Sequence, residues 1–88
     1  MERRAHERHK VGFETKITVL DDLGHSAFGR ASDISRSGIS VVLPLQLKAG
    51  DLVELELADS FLYGHVVYSS PYTALFRTGI TAIWTKRR

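Results

Sequence analysis

Two short segments hold the side chains of this 88-residue sequence that are best suited to chemistry. The first contains Arg4 and Arg8, which are four positions apart near the N-terminus. Each guanidinium is a planar fork of donors that can hold two phosphate oxygens, and the same fork fits the adjacent O6 and N7 acceptors of guanine. It can also lie flat on a purine ring. The arginine pair therefore suits a purine nucleotide, although charged termini more often form only a solvated basic tail.

The second segment, residues 33–38, follows about 25 positions after Arg8 and is turn-like in composition. Asp33, Ser35 and Ser37 can cap backbone N–H groups, and Gly38 permits a positive φ or a close backbone approach. Successive N–H groups in such a turn form a concave anion site. A carboxylate repels phosphate but accepts from the N1–H and N2–H donors of guanine, so Asp33 favours a base as well as a phosphate. The alternative is an ordinary capped hairpin loop.

The elements that must position these segments are strands, because the apolar residues recur mostly with period two. Strands are predicted over residues 11–20, 26–34, 39–43, 52–57, 62–69 and 74–84, with turns at 21–24 and 47–51 and a break at Ser70-Pro71. Six or seven short strands joined by tight turns predict an all-β barrel, since closure leaves no exposed strand edge. Tyr68 and Trp84 are predicted to pack in the core or at a barrel end.

Length, composition and the distribution of charge narrow the class of protein. The length predicts one domain, residues 1–88, with an arm over 1–10 and a barrel over 11–88. The sequence has no cysteine, which excludes disulfides and thiolate metal sites. Residues 1–10 carry a net charge of +2, residues 86–88 carry +3, and the body between them carries −3. This localised charge favours a small anionic ligand over nucleic acid, which more often meets cations spread over one face.

The two segments together resemble the PilZ domain family. The resemblance lies in Arg4-x-x-x-Arg8 followed by Asp33-x-Ser35-x-x-Gly38. It extends over nearly the whole chain through an Arg3-Arg4 doublet, a strand at 13–20, the run 39–41 with Pro44 after it, and the late runs 64–68 and 76–80.

The resemblance implies a small antiparallel barrel of six strands with a flexible basic N-terminal arm, and a receptor for the bacterial second messenger cyclic di-GMP. The site residues it implies are Arg3, Arg4, Arg8, Asp33, Ser35, Arg36 and Gly38. Binding would order the arm against the barrel and signal to a downstream protein or fused effector. The implied setting is the bacterial cytosol, with this chain alone or as the cytosolic module of a longer protein.

Other functions have weaker support in the sequence. His6 and His9 are three apart, but no third metal ligand with suitable spacing accompanies them, so we expect no metal. Asp33 and Ser35 lack a histidine placed to complete a catalytic triad, so we expect no enzyme activity. No apolar run is long enough to span a membrane. Two alternatives stay open: a PilZ-like interaction domain that binds no nucleotide, and a small nucleic-acid-binding barrel.

Overall fold

The computed structural model describes residues 8–21 and 24–88. Within these residues the chain forms six strands: β1 (His9–Val19), β2 (Ser26–Ser35), β3 (Gly38–Leu43), β4 (Leu52–Glu56), β5 (Ser60–Tyr72) and β6 (Leu75–Arg87). All neighbouring strands pair antiparallel in the order β1-β2-β3-β6-β5-β4, and β4 pairs with β1 to close a barrel. The predicted all-β barrel is confirmed. The predicted flexible arm falls largely on residues 1–7, which lie outside the described residues.

The barrel interior is filled by the apolar residues of the period-two pattern. Val53 and Leu55 of β4 are fully buried, as the alternation in residues 52–57 predicts. Each such side chain contributes about 1.5–3 kcal/mol by leaving water. The buried hydrophobic residues are Ile17, Val19, Ala31, Ile39, Val41, Leu43, Leu47, Val53, Leu55, Leu62, Val66 and Ile80. These residues come from all six strands, so the core holds in place every strand that forms the outer surface of the barrel.

The two predicted turns outside the candidate site follow the chemistry of their residues. Gly24 has a φ of 63° and donates its N–H to the Asp21 carboxylate over 2.8 Å. Gly50 has a φ of 96°, a conformation that other residues rarely adopt. Next to Gly50, the N–H of Asp51 donates to the Lys48 carbonyl over 3.0 Å, which confirms the turn at 47–51. No helix among the described residues is long and apolar enough to cross a membrane.

The predicted break at Ser70-Pro71 is wrong. β5 runs through Pro71, which pairs with Phe76 of β6, and the chain turns only at Thr73, whose φ is 55°. Proline is tolerated here because β4 pairs with β5 only as far as His65, so one side of β5 carries no ladder at Pro71. β1 and β5 also begin two residues earlier than predicted.

Packing of Trp84 in the barrel core, one of the two predicted positions, is also wrong. Its side chain is 54% exposed and stacks on Tyr63 with ring centroids 4.9 Å apart. The register of the β5–β6 pair shifts there, which leaves Ile83 as an extra residue and ends the alternation that buries Ile80. Tyr63 also donates its hydroxyl to Glu54 over 2.7 Å, so these three side chains form a cross-strand row on the barrel surface.

Candidate functional site

A bulge in β2 turns the acidic residue of the second segment toward the barrel surface. The β2–β3 register shifts by one residue between Ala31 and Asp33, which leaves Ser32 as the extra residue. Because the bulge reverses the alternation, Ile34 packs against the core. Asp33 and Ser35 therefore lie on the outer face, where each is half-buried.

The two-residue turn that follows closes the β2–β3 hairpin. The N–H of Ser37 donates to the Ser35 hydroxyl over 3.3 Å, and the two hydroxyl oxygens lie 3.2 Å apart. A Cβ on Gly38 would lie 2.1 Å from the Ile80 carbonyl oxygen, so close backbone approach is what requires glycine here. Arg36 is exposed at the turn and lines neither of the cavities described below.

An ion pair joins the first segment to the second. Nη2 of Arg8, just before β1, donates to the Asp33 carboxylate over 2.8 Å. The pairing of β1 with β2 creates this contact, because Lys10 lies opposite Asp33 in the ladder. Arg3 and Arg4 lie outside the described residues.

Two adjoining cavities lie on this side of the barrel, and we call them together the groove. They have volumes of about 280 and 420 Å³ and share Arg8 and Tyr68. The first is lined by Arg8, Ser35, Ser37, Gly38, Ile39, Val67, Tyr68, Gly79, Ile80 and Thr81. The second is lined by Arg8, Lys10, Asp33, Ser40, Tyr68 and Arg77. The groove therefore brings Arg8, Asp33, Ser35 and Gly38 to one surface.

One straight row of paired residues forms the floor of the groove. Across β1, β2, β3, β6 and β5 it consists of Lys10, Asp33, Ser40, Gly79 and Tyr68. The Tyr68 ring lies against Gly79, since a Cβ there would meet its Cε2 at 2.3 Å. Tyr68 is still 42% exposed, so the ring also presents surface to the groove. An aromatic ring seated in this way can serve as a stacking platform for a base.

The sequence model of the PilZ domain matches residues 2–81. The chain belongs to the PilZ domain family. Two solved structures are similar to it. MrkH of K. pneumoniae, in complex with c-di-GMP, has a TM-score of 0.73 and 15% sequence identity. The match covers 96% of this chain and 46% of the MrkH chain. The PilZ domain of YcgR from Escherichia coli, with c-di-GMP, has a TM-score of 0.62 and 12% sequence identity. The match covers 98% of this chain and 78% of the YcgR chain.

At these identities the structural likeness shows a shared fold. This PilZ domain spans less than half the length of the MrkH chain. None of the curated proteins matches its sequence.

The charges that line the second cavity of this PilZ domain favour an anion. Arg8, Lys10 and Arg77 face it, against Asp33 as the one carboxylate among the described lining residues. Arg77 is half-buried, with its guanidinium carbon 4.4 Å from the Tyr72 ring centre. Among the described residues, no group of three or more His, Asp or Glu side chains is placed to hold a metal ion.

Sequence reasoning misses two cations of the groove, Lys10 and Arg77, and mistakes the position of Tyr68. Lys10 was one of several charges in the arm, and Arg77 lies in a strand far from both motifs. Tyr68 was predicted to pack in the core or at a barrel end, but an extra residue at Val67 shifts the register and leaves it on the outer face. The usable signal was Gly79, because a glycine within a strand often marks a close approach by another group.

Proposed function

We propose that this PilZ domain is a receptor for cyclic di-GMP and that the nucleotide binds in the groove. The observation that carries the proposal is the 2.8 Å pair between Arg8 and Asp33. It joins the two motifs, 25 residues apart in sequence, at a surface that also contains Ser35 and Gly38. The c-di-GMP complexes of MrkH and YcgR, which share this fold, support the choice of ligand.

The chemistry of the ligand matches the groups in the groove. Cyclic di-GMP carries two phosphate charges and two guanines. Arg8 supplies a donor fork for phosphate or for guanine O6 and N7, with Arg3 and Arg4 acting from the segment before it. Asp33 accepts from the N1–H and N2–H of a guanine, and Ser35 with the turn N–H groups binds phosphate. Gly38 allows the backbone to approach, Tyr68 provides a stacking face, and Arg36 adds positive charge at the rim.

The proposed output is binding without chemical turnover. The nucleotide bridges the barrel and the N-terminal arm and orders the arm. A downstream protein or a fused effector domain recognises the ordered arm. We place this receptor in the bacterial cytosol, where the second messenger is found. Among its described residues the groove offers cationic hydrogen-bond donors, serine hydroxyls, one carboxylate acceptor and a stacking surface, which suffice to hold a nucleotide.

Calorimetric titration of the whole chain tests the proposal. We expect cyclic di-GMP to bind with micromolar or tighter affinity and single-stranded DNA or RNA not to bind. Cyclic di-AMP should bind more weakly, because adenine has no N1–H, N2–H or O6 for Asp33 and the arginines to recognise. Binding of oligonucleotides instead would select a nucleic-acid-binding barrel, and no binding of either would select an interaction domain; both results refute the proposal.

A further inference from the structure

Arg77 of β6 lies on the groove but belongs to neither motif. It pairs with Ser70 on one side and Val42 on the other, and its side chain lines the second cavity with Arg8 and Lys10. Its Nε is buried and has no hydrogen-bond partner among the residues that the structure describes. The contact of its guanidinium with the Tyr72 ring is through the ring face and uses no N–H donor.

Among the residues that the structure describes, the charge pairing in the groove leaves Arg77 without a carboxylate partner. Asp33, the one carboxylate among the described residues of this cavity, is engaged by Arg8. A buried donor without an acceptor is unfavourable, and a charged acceptor that reached it would remove that cost as well as balance the charge. Arg77 is therefore a cation that can bind an anion in the groove, on the β6 side, whereas Arg8 lies on the β1 side.

Arg77 and Asp33 lie on the same surface of the barrel but on different strands, β6 and β2. Arg77 is two residues from Gly79 on the same strand, and Gly79 belongs to the row that runs through Ser40 to Asp33. Residues two apart in a strand are about 7 Å apart, and neighbouring strands are about 4.8 Å apart. Asp33 and Arg77 are thus about 10 Å apart across two strand pairs and about 7 Å apart along the strands, and Tyr68 lies next to Gly79 on β5.

We propose that Arg77 is a phosphate-binding residue of this receptor. It holds one phosphate of cyclic di-GMP on the β5–β6 side of the groove, while Arg8 and Asp33 hold the ligand on the β1–β2 side. Rotation of the guanidinium toward the groove brings Nε and an Nη to the phosphate as a two-donor fork, with Tyr72 supporting the side chain. This inference rests on the proposed function and adds a residue outside both motifs to the site.

Calorimetry on four forms of the chain tests the role of Arg77: wild type, Arg77→Gln, Arg77→Lys and Arg87→Gln. Arg87 is the matched control, because it is an exposed arginine on the same strand and lines no part of the groove. Arg77→Gln should weaken cyclic di-GMP binding by about tenfold or more relative to Arg87→Gln. Arg77→Lys keeps the charge without the fork and should fall between Arg77→Gln and wild type.

A side-chain NMR measurement covers the case in which Arg77→Gln fails to fold. In the wild-type chain the Arg77 Nε–H resonance should shift when cyclic di-GMP is added, while that of Arg87 stays in place. If wild type binds but Arg77→Gln behaves as Arg87→Gln, or if the Nε–H resonance does not move, the role of Arg77 is refuted and the receptor function stands. If wild type does not bind, the receptor function itself is refuted, and this inference with it.

Discussion

Arg8 donates to Asp33 across 2.8 Å, so each of the two motifs positions a charged group of the other. The side chains of the pair are 48% and 28% exposed. Exposed ion pairs contribute only about 0.2–1 kcal/mol to folding because water and salt screen them. The contact therefore matters mainly for placement: it holds a donor fork and a carboxylate at the groove.

Replacing Arg8 with alanine should separate binding from stability. We expect cyclic di-GMP affinity to fall by more than about tenfold, equivalent to ~1.4 kcal/mol, because a charged two-donor contact is lost. The free energy of unfolding should change by less than about 1 kcal/mol, since the pair is exposed. Calorimetry and urea unfolding measure the two quantities, with Arg87→Ala as the control. An unchanged nucleotide affinity in Arg8→Ala would show that the site has been wrongly assigned.

Gly38→Ala should destabilise the barrel itself. The new Cβ would lie 2.1 Å from the Ile80 carbonyl oxygen, so the β3–β6 pair would have to separate. We expect a loss of at least about 1–3 kcal/mol, as for overpacked interiors, measured by urea unfolding. Gly12→Ala is the control, because the nearest atom to its Cβ would be Arg30 Nη2 at 3.6 Å, an ordinary contact. Equal stability of the two variants would contradict the close approach at Gly38.

The sequence predicts most of the barrel because strand alternation is a local property. Val53 and Leu55 are apolar between acidic neighbours, and both are buried. Predictions failed where the fold depends on pairing between distant strands. Pro71 is tolerated in β5 only because β4 ends before it, and Trp84 is exposed because of an extra residue at Ile83. Neither relationship can be read from local composition.

The candidate site divides in the same way. The motif residues Asp33 and Ser35 could be named from sequence because their types and spacing suit a nucleotide. Tyr68 and Arg77 could not be assigned to the groove, since each reaches it only through the β5–β6 register. A single extra residue, Val67, decides that Tyr68 lies over Gly79.

Tyr68 should contribute to nucleotide affinity through its ring. Tyr68→Ala should weaken cyclic di-GMP binding by about 1–3 kcal/mol, the usual effect of removing an aromatic ring that stacks on a base. Tyr68→Phe should bind as wild type, because it keeps the ring. Calorimetry measures all three forms.

Gly79→Ala provides an independent route to the same test. The added Cβ would meet the Tyr68 Cε2 at 2.3 Å and push the ring off the groove floor while the tyrosine is retained. We expect Gly79→Ala to lose affinity much as Tyr68→Ala does, with the circular dichroism of the barrel preserved. Wild-type affinity in Tyr68→Ala would exclude stacking on this ring.

Tyr63 lies between Glu54 and Trp84 in the cross-strand row on the barrel surface. The hydrogen bond that Tyr63 donates to Glu54, together with desolvation and the negative charge of that carboxylate, raises the Tyr63 pKa above its usual value of 10.0. The unfolded chain therefore loses this proton first as the pH rises. The stabilisation is complete below the usual pKa and declines as the pH climbs through the raised pKa of the folded state.

Glu54→Ala should bring the Tyr63 pKa down toward its usual value, because it removes both the acceptor and the charge. The Cζ chemical shift of Tyr63 in an alkaline NMR titration measures this directly. Glu56→Ala is the control: it removes a carboxylate two residues along β4 that pairs with Arg88 instead, and it should leave the Tyr63 titration unchanged. Identical Tyr63 titration curves in the two variants would mean that Glu54 does not control this phenol. The stability of Glu54→Ala should correspondingly decline less steeply than that of wild type as the pH rises above the usual tyrosine pKa.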